Sequence, residues 1–208
     1  LKGLYGAHPY GVTRQQVLES LDAITAEDLR EFHRVHYAPN RLVTAVVGPI
    51  DLEATKALVQ QLFGQREPVA DPLPALPPVE QPSGFVDVLQ TGDTGAGWLA
   101  LGFLAPSLAE VDLAAMDVLR SLLAGGLSSM LYEELREKMA VVYSVGALYP
   151  YRDGPSYFVI TTSTPPTRQA IDRATEGIWR VLEEQLADVD EERLAMAREQ
   201  VAGGFVIG

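Results

Sequence analysis

Residues 65–82, QREPVADPLPALPPVEQP, hold six prolines. Each proline fixes φ and removes a backbone donor, so neither a helix nor a central strand can run through this stretch. It reads as an extended linker dividing the chain into a part at 1–64 and a part at 83–208. A long surface loop within one domain is the alternative. A chain of 208 residues has room for one large domain or for parts of two.

The part before the linker reads as mainly helical with one strand. Thr25-Ala26-Glu27-Asp28 has the pattern of a capping box, and Leu29, Phe32 and Val35 or His36 then share one helical face. Ala38-Pro39-Asn40 ends that helix. Residues 41–47, RLVTAVV, are rich in β-branched and apolar side chains, the composition of a buried strand. Asp51 caps a further helix that closes at Gly64.

The part after the linker follows another rhythm. Stretches 85–90 and 98–104 flank Gly92-Asp93-Thr94-Gly95 as a hairpin. Residues 108–123 read as a helix, Gly125-Gly126 breaks it, and Ser128 opens a second helix ending near Met139. Stretches 141–151 and 157–163 form a second hairpin, and helices follow from Pro165-Pro166 and from Asp190. The order ββααββαα predicts an α+β fold, a mostly antiparallel sheet with helices packed on one side.

Composition narrows the function. The apolar runs are short and interrupted, so no segment is expected to span a membrane. The net charge of −12 disfavours nucleic acid and anionic lipid as partners, because their phosphates are repelled. With no cysteine, disulfides and thiolate metal sites are excluded. The opening LKGLYGAHPYG lacks the regions of a signal peptide, which points to the cytoplasm, and it reads as a piece of a longer protein.

Few residues suggest chemistry. His33 and His36 lie three apart on a helix, but zinc catalysis needs a third protein ligand and a base, and none is identifiable. They read as a partly exposed helix face. Asp93-Thr94-Gly95 matches the tripeptide of aspartic peptidases, yet it is also good turn chemistry and has no second copy. Gly125-Gly126 before a helix is a helix break or an anion site. Glu133, Glu134 and Lys138 around Arg136 read as a solvated face, and Tyr143 belongs to an aromatic strand face. If the helix folds back beside the strand, the Arg136 guanidinium and Tyr143 phenol become two donors on one point, as acyl chemistry requires.

These residues resemble a known family. Gly125-Gly126-Leu127-Ser128-Ser129-Met130-Leu131, Glu134-Leu135-Arg136-Glu137-Lys138 and Val142-Tyr143-Ser144-Val145 look like the second-domain signature of the insulinase/pitrilysin zinc metallopeptidases, of the bacterial processing-peptidase type. His8-Pro9-Tyr10-Gly11, Ile24-Thr25-Ala26-Glu27-Asp28-Leu29, Tyr37-Ala38-Pro39-Asn40 and Val46-Val47-Gly48 follow the order of the closing half of its first domain. The resemblance implies the LuxS/processing-peptidase-like metallohydrolase fold. It makes 1–64 the closing half of a zinc-type domain, 65–82 the linker, and 83–208 the opening half of a second, non-metal domain. In that family H-x-x-E-H in the first domain binds zinc, and the second domain offers an arginine and a tyrosine seven residues apart to the substrate. Arg136 and Tyr143 take those roles, and Gly125 and Gly126 correspond to a substrate-contacting loop. Met130 stands where a basic residue is often found.

No H-x-x-E-H occurs in the sequence, so the chain is expected to bind no metal and to be inactive alone, with zinc in the missing half of the parent. The partners expected are a peptide or unfolded polypeptide and a zinc-bearing half or related subunit. Packing of the 42–47 strand onto the hairpins, in one chain or by exchange in a homodimer, would complete the sheet. Two functions stand: the substrate-binding part of an active metalloendopeptidase, or a non-catalytic partner or structural subunit that binds peptides or proteins.

Overall fold

The computed structural model describes residues 1–70, 72–80, 84–110 and 112–207. In chain order the helices are α1 (Lys2–Tyr5), α2 (Arg14–Leu21), α3 (Ala26–His36), α4 (Leu52–Phe63), α5 (Leu113–Ala124), α6 (Met130–Tyr132), α7 (Arg168–Arg180) and α8 (Glu191–Ile207). The strands are β1 (Gly97–Ala105), β2 (Ser144–Leu148) and β3 (Ser156–Thr164). The linker residues Asp71, Gln81 and Pro82 lie outside the described residues; the rest of 65–82 forms no helix or strand. The chain divides into two compact units, Val12–Pro77 and Leu1–Gly11 with Pro78–Gly208.

In the unit Val12–Pro77, side-chain caps fix the helix starts. The Asp28 N–H donates to the Thr25 hydroxyl at 3.2 Å, and the Thr25 N–H donates back to the Asp28 carboxylate at 2.8 Å. This is the reciprocal box expected from the sequence. The Asp51 carboxylate accepts from the Ala54 N–H at 2.8 Å and starts α4. The expected strand at 41–47 does not form. Arg41 closes a short turn, Leu42 is extended, and 42–47 is in no ladder among the described residues, with Val43 94% and Val47 98% exposed. A strand is stabilised by its neighbours, and the described residues of this unit offer none.

The larger unit is built on an antiparallel sheet in the order β1-β3-β2. Leu101 pairs with Ile160, and Ile160 with Ala147, so their side chains share one face. That face packs on α5, α6, the π-helical turn Glu133–Lys138 and α7 through Leu123, Leu131, Leu135 and Ile178, all at most 1% exposed. The opposite face meets α1 at Gly102, where an added Cβ would stand 2.9 Å from a Leu4 methyl. Helices therefore cover one side of the sheet along its length, with α1 alone seated on the other.

The first expected hairpin is absent. β1 forms, but 85–90 is coil, with Phe85 and Val88 exposed. β1 pairs instead with β3 over nine residues, from Gly97↔Thr164 to Ala105↔Ser156. Backbone pairing and a shared buried face outweigh proximity in sequence here. The second hairpin is present as β2 and β3. The helix expected over 108–123 begins later, at Leu113, where the Asp112 carboxylate caps it.

Candidate functional site

The glycine pair leaves α5 in a conformation that its neighbours dictate. A Cβ on Gly125 would fall 2.4 Å from the Ser121 carbonyl oxygen, and Gly126 has φ +147°. Both positions therefore need glycine. The loop is held from both sides. Gln200 on α8 donates to the Gly125 carbonyl and accepts from the Ser121 hydroxyl at 2.8 Å, while the Ser129 hydroxyl donates to the Gly126 carbonyl at 2.6 Å. The N–H groups of Gly126, Leu127 and Ser128, all exposed residues, have no acceptor among the described residues.

The helix that follows is not a regular α-helix. After Met130–Tyr132 it widens into a π-helical segment, Glu133–Lys138, and the Met139 N–H bonds the Glu134 carbonyl five residues back. Ala140 then takes φ +53°, and the Val141 N–H returns to the Leu135 carbonyl at 3.0 Å. This tight reversal sends the chain directly into β2.

Arg136 and Tyr143 are thereby brought together. The Arg136 guanidinium donates to the Tyr143 backbone carbonyl and lies 5.7 Å from the Tyr132 ring centroid. The Tyr143 N–H donates to the Ser163 carbonyl at 2.7 Å, which ties its backbone to β3. Its phenol is exposed and has no partner among the described residues. The two donors named from the sequence thus share one backbone segment, with the phenol facing solvent.

Glu134 overturns the solvated-face reading of this helix. It is buried, and its carboxylate accepts from Arg180 at 2.7 Å, Gln185 at 3.0 Å and Lys138 at 3.2 Å. Gln185 lies in a second π-helical segment, Val181–Gln185, that continues α7, and Arg180 directly precedes it. Burial pushes the Glu134 carboxyl up, but the hydrogen bonds from Gln185, Arg180 and Lys138 outweigh it and hold it below the usual carboxylate range. A Cβ on Gly177 would lie 2.5 Å from a Leu135 methyl, so this glycine allows the close approach of the two helices. Neither Glu134 nor Gln200 was identifiable from sequence. The partners of both come from distant segments, Arg180 and Gln185 for Glu134 and Ser121 and Gly125 for Gln200, and nothing local points to either.

The remaining candidates lie elsewhere. His33 stacks on Tyr37 and stands 3.4 Å from an Arg66 guanidinium nitrogen, while His36 stacks on Phe32. A cation beside an imidazole opposes metal binding. Among the described residues no three His, Asp or Glu side chains gather as a metal group. The described side chains around His33 and His36 do not fit zinc. Asp93-Thr94-Gly95 lies in exposed coil leading to β1 instead of a hairpin turn. No helix among the described residues is long and apolar enough to cross a membrane.

Known proteins resemble this chain in sequence and fold. A family profile described as the peptidase M16 inactive domain matches residues 23–201. An uncharacterized zinc protease of Mycobacterium tuberculosis H37Rv is 31% identical, covering 100% of this chain and 48% of that protein. A zinc protease of Helicobacter pylori is 28% identical, covering 64% of this chain and 31% of that protein. The chain thus spans about half the length of the curated relatives it matches over its whole length. Among solved structures, a peptidase M16 inactive domain from Pseudomonas fluorescens superposes with a TM-score of 0.79 at 23% identity, covering 97% of this chain and 48% of that one. A protease from Helicobacter pylori superposes with a TM-score of 0.80 at 21% identity, covering 97% and 50%. These two likenesses show the α+β fold. Because the profile spans most of the sequence, the chain belongs to the peptidase M16 family of zinc proteases, within its inactive-domain branch.

Proposed function

We propose that this chain is the non-metal, substrate-binding part of a processing-peptidase-like zinc metalloendopeptidase that cleaves peptides or unfolded polypeptides. In this reading 1–64 closes the zinc-type domain, 65–82 links, and 83–208 opens the inactive domain. The zinc lies in a part of the parent beyond these residues. The observation that carries the reading is the Arg136 guanidinium held at the backbone carbonyl of Tyr143, a residue whose phenol is exposed.

The chemistry follows from the groups. A guanidinium keeps its charge at any working pH and has more N–H donors than the Tyr143 carbonyl uses. A neutral phenol adds one further donor. Donors fixed before the substrate arrives stabilise charge developing on a peptide carbonyl oxygen without reorganising. The unpaired N–H groups of Gly126, Leu127 and Ser128 suit the carbonyls of an extended peptide.

The test uses the assembled peptidase. Arg136→Ala and Tyr143→Phe are each expected to lower kcat/KM, by about 10²–10³-fold where the lost group is an oxyanion donor. Unchanged kinetics in both variants would exclude the role and leave a non-catalytic partner subunit as the reading.

A further inference from the structure

At the end of the sheet away from Tyr143, a second group of donors lacks acceptors. Arg152, in the loop between β2 and β3, lies 4.3 Å from the Tyr10 ring centroid, 5.1 Å from that of Tyr157 and 5.7 Å from that of Tyr5. Tyr5 is buried, and its hydroxyl is committed to the Pro155 carbonyl at 2.9 Å. The cluster is therefore anchored to the loop that carries Arg152. No carboxylate pairs with Arg152 among the described residues, and its guanidinium makes no hydrogen bond there. Neighbouring Asp153 is exposed and forms no ion pair with it. The hydroxyls of Tyr10 and Tyr157 are also without partners among the described residues.

His8 adds to the imbalance. Its ring is 6% exposed, lies 4.8 Å from Tyr10 and 5.8 Å from Tyr5, and accepts the Tyr10 N–H on Nδ1 at 3.1 Å. In the neutral imidazole the proton then sits on Nε2, which is buried with no partner. Buried donors without acceptors are rare and call for an explanation. Arg152, Tyr10, Tyr157 and His8 thus supply donors from one aromatic cluster, and no acceptor among the described residues answers them. Contact with aromatic ring faces leaves an arginine's in-plane N–H fork for a planar acceptor. A carboxylate is acceptor-only, planar and negatively charged, and it matches that fork in a bidentate pair.

We propose that Arg152 and the surrounding tyrosines form a carboxylate-binding site for peptides, separate from Arg136 and Tyr143 and independent of the role given to them. The carboxylate is a chain terminus or an acidic side chain.

Three short N-acetylated peptides separate these sources: trialanine with a free C-terminal carboxylate, its C-terminal amide, and an amidated peptide with one glutamate. Each is titrated into the 208-residue chain while the Arg152 Nε–H and the Tyr10 and Tyr157 ring signals are followed by NMR. Saturable shifts with one or both carboxylate peptides, and none with the trialanine amide, are expected. The terminal source predicts a response to the free acid, and the side-chain source a response to the glutamate peptide. Arg152→Gln is expected to weaken binding about tenfold or more, and Tyr10→Phe, which keeps the ring, about threefold. Absence of saturable shifts with both carboxylates, equal shifts with the trialanine amide, or undiminished affinity in folded Arg152→Gln would overturn the site. Should Arg152→Gln fail to fold, the wild-type titrations and Tyr10→Phe decide.

Discussion

At Ala140 the passage from helix to strand depends on one strained backbone. An alanine at φ +53° carries the left-handed penalty of a Cβ, about 1–2 kcal/mol. Glycine removes that penalty but gains freedom in the unfolded chain. Ala140→Gly is therefore expected to stabilise the chain by about 0.5–1 kcal/mol, read from denaturant midpoints. A loss of stability would mean that the Ala140 methyl packs productively. Residues on this scale were unevenly legible. Arg136 and Tyr143 stood out because their seven-residue spacing sits among glycine, serine and strand residues that resemble a known family. Glu134 did not, because burial by α7 comes from a neighbour 46 residues away.

At the scale of elements, Glu134 joins two π-helical segments through one carboxylate. Removing one member of a buried charged network leaves the others unpaired. Glu134→Gln is expected to cost about 2–3 kcal/mol near neutral pH. The folded-state pKa is depressed, so the stabilisation is present above the unfolded carboxylate value and is lost as pH falls through the folded value. The stability gap between wild type and Glu134→Gln should accordingly close below about pH 4. Chemical denaturation of both proteins across pH 3–7 measures it; a gap independent of pH would refute the role. The helix starts at Thr25 and Asp51 were readable because caps are local chemistry. The strands at 41–47 and 85–90 were not, since β-branched composition reports suitability for a sheet without reporting whether a partner strand exists. The π widening left no mark in the apolar periodicity.

At the scale of the molecule, the two units differ in how they hold together. The larger one closes a core around Leu123, Leu131, Ile160 and Ile178. Among the described residues of Val12–Pro77, Ala38 is the sole buried hydrophobic, and α2, α3 and α4 bury no residue. Leu29, Phe32, Leu58 and Leu62 stay exposed. Proline content did not reveal that Leu1–Gly11 groups with Pro78–Gly208. That grouping depends on contacts such as Tyr5 to Pro155, separated by 150 residues.

The unpaired run at 42–47 bears on how this chain behaves at high concentration. LVTAVV has no charge and no proline, and its backbone, in no ladder among the described residues, is a template for a second copy. Such a segment promotes intermolecular cross-β growth whenever chains crowd together, and charge placed within it acts as a gatekeeper. Val43→Lys, at a side chain almost wholly in solvent, should slow light-scattering growth in concentrated samples and leave the circular dichroism spectrum intact. The same stretch that favours a sheet in sequence thus becomes, when left without a neighbour among the described residues, a place where isolated chains join.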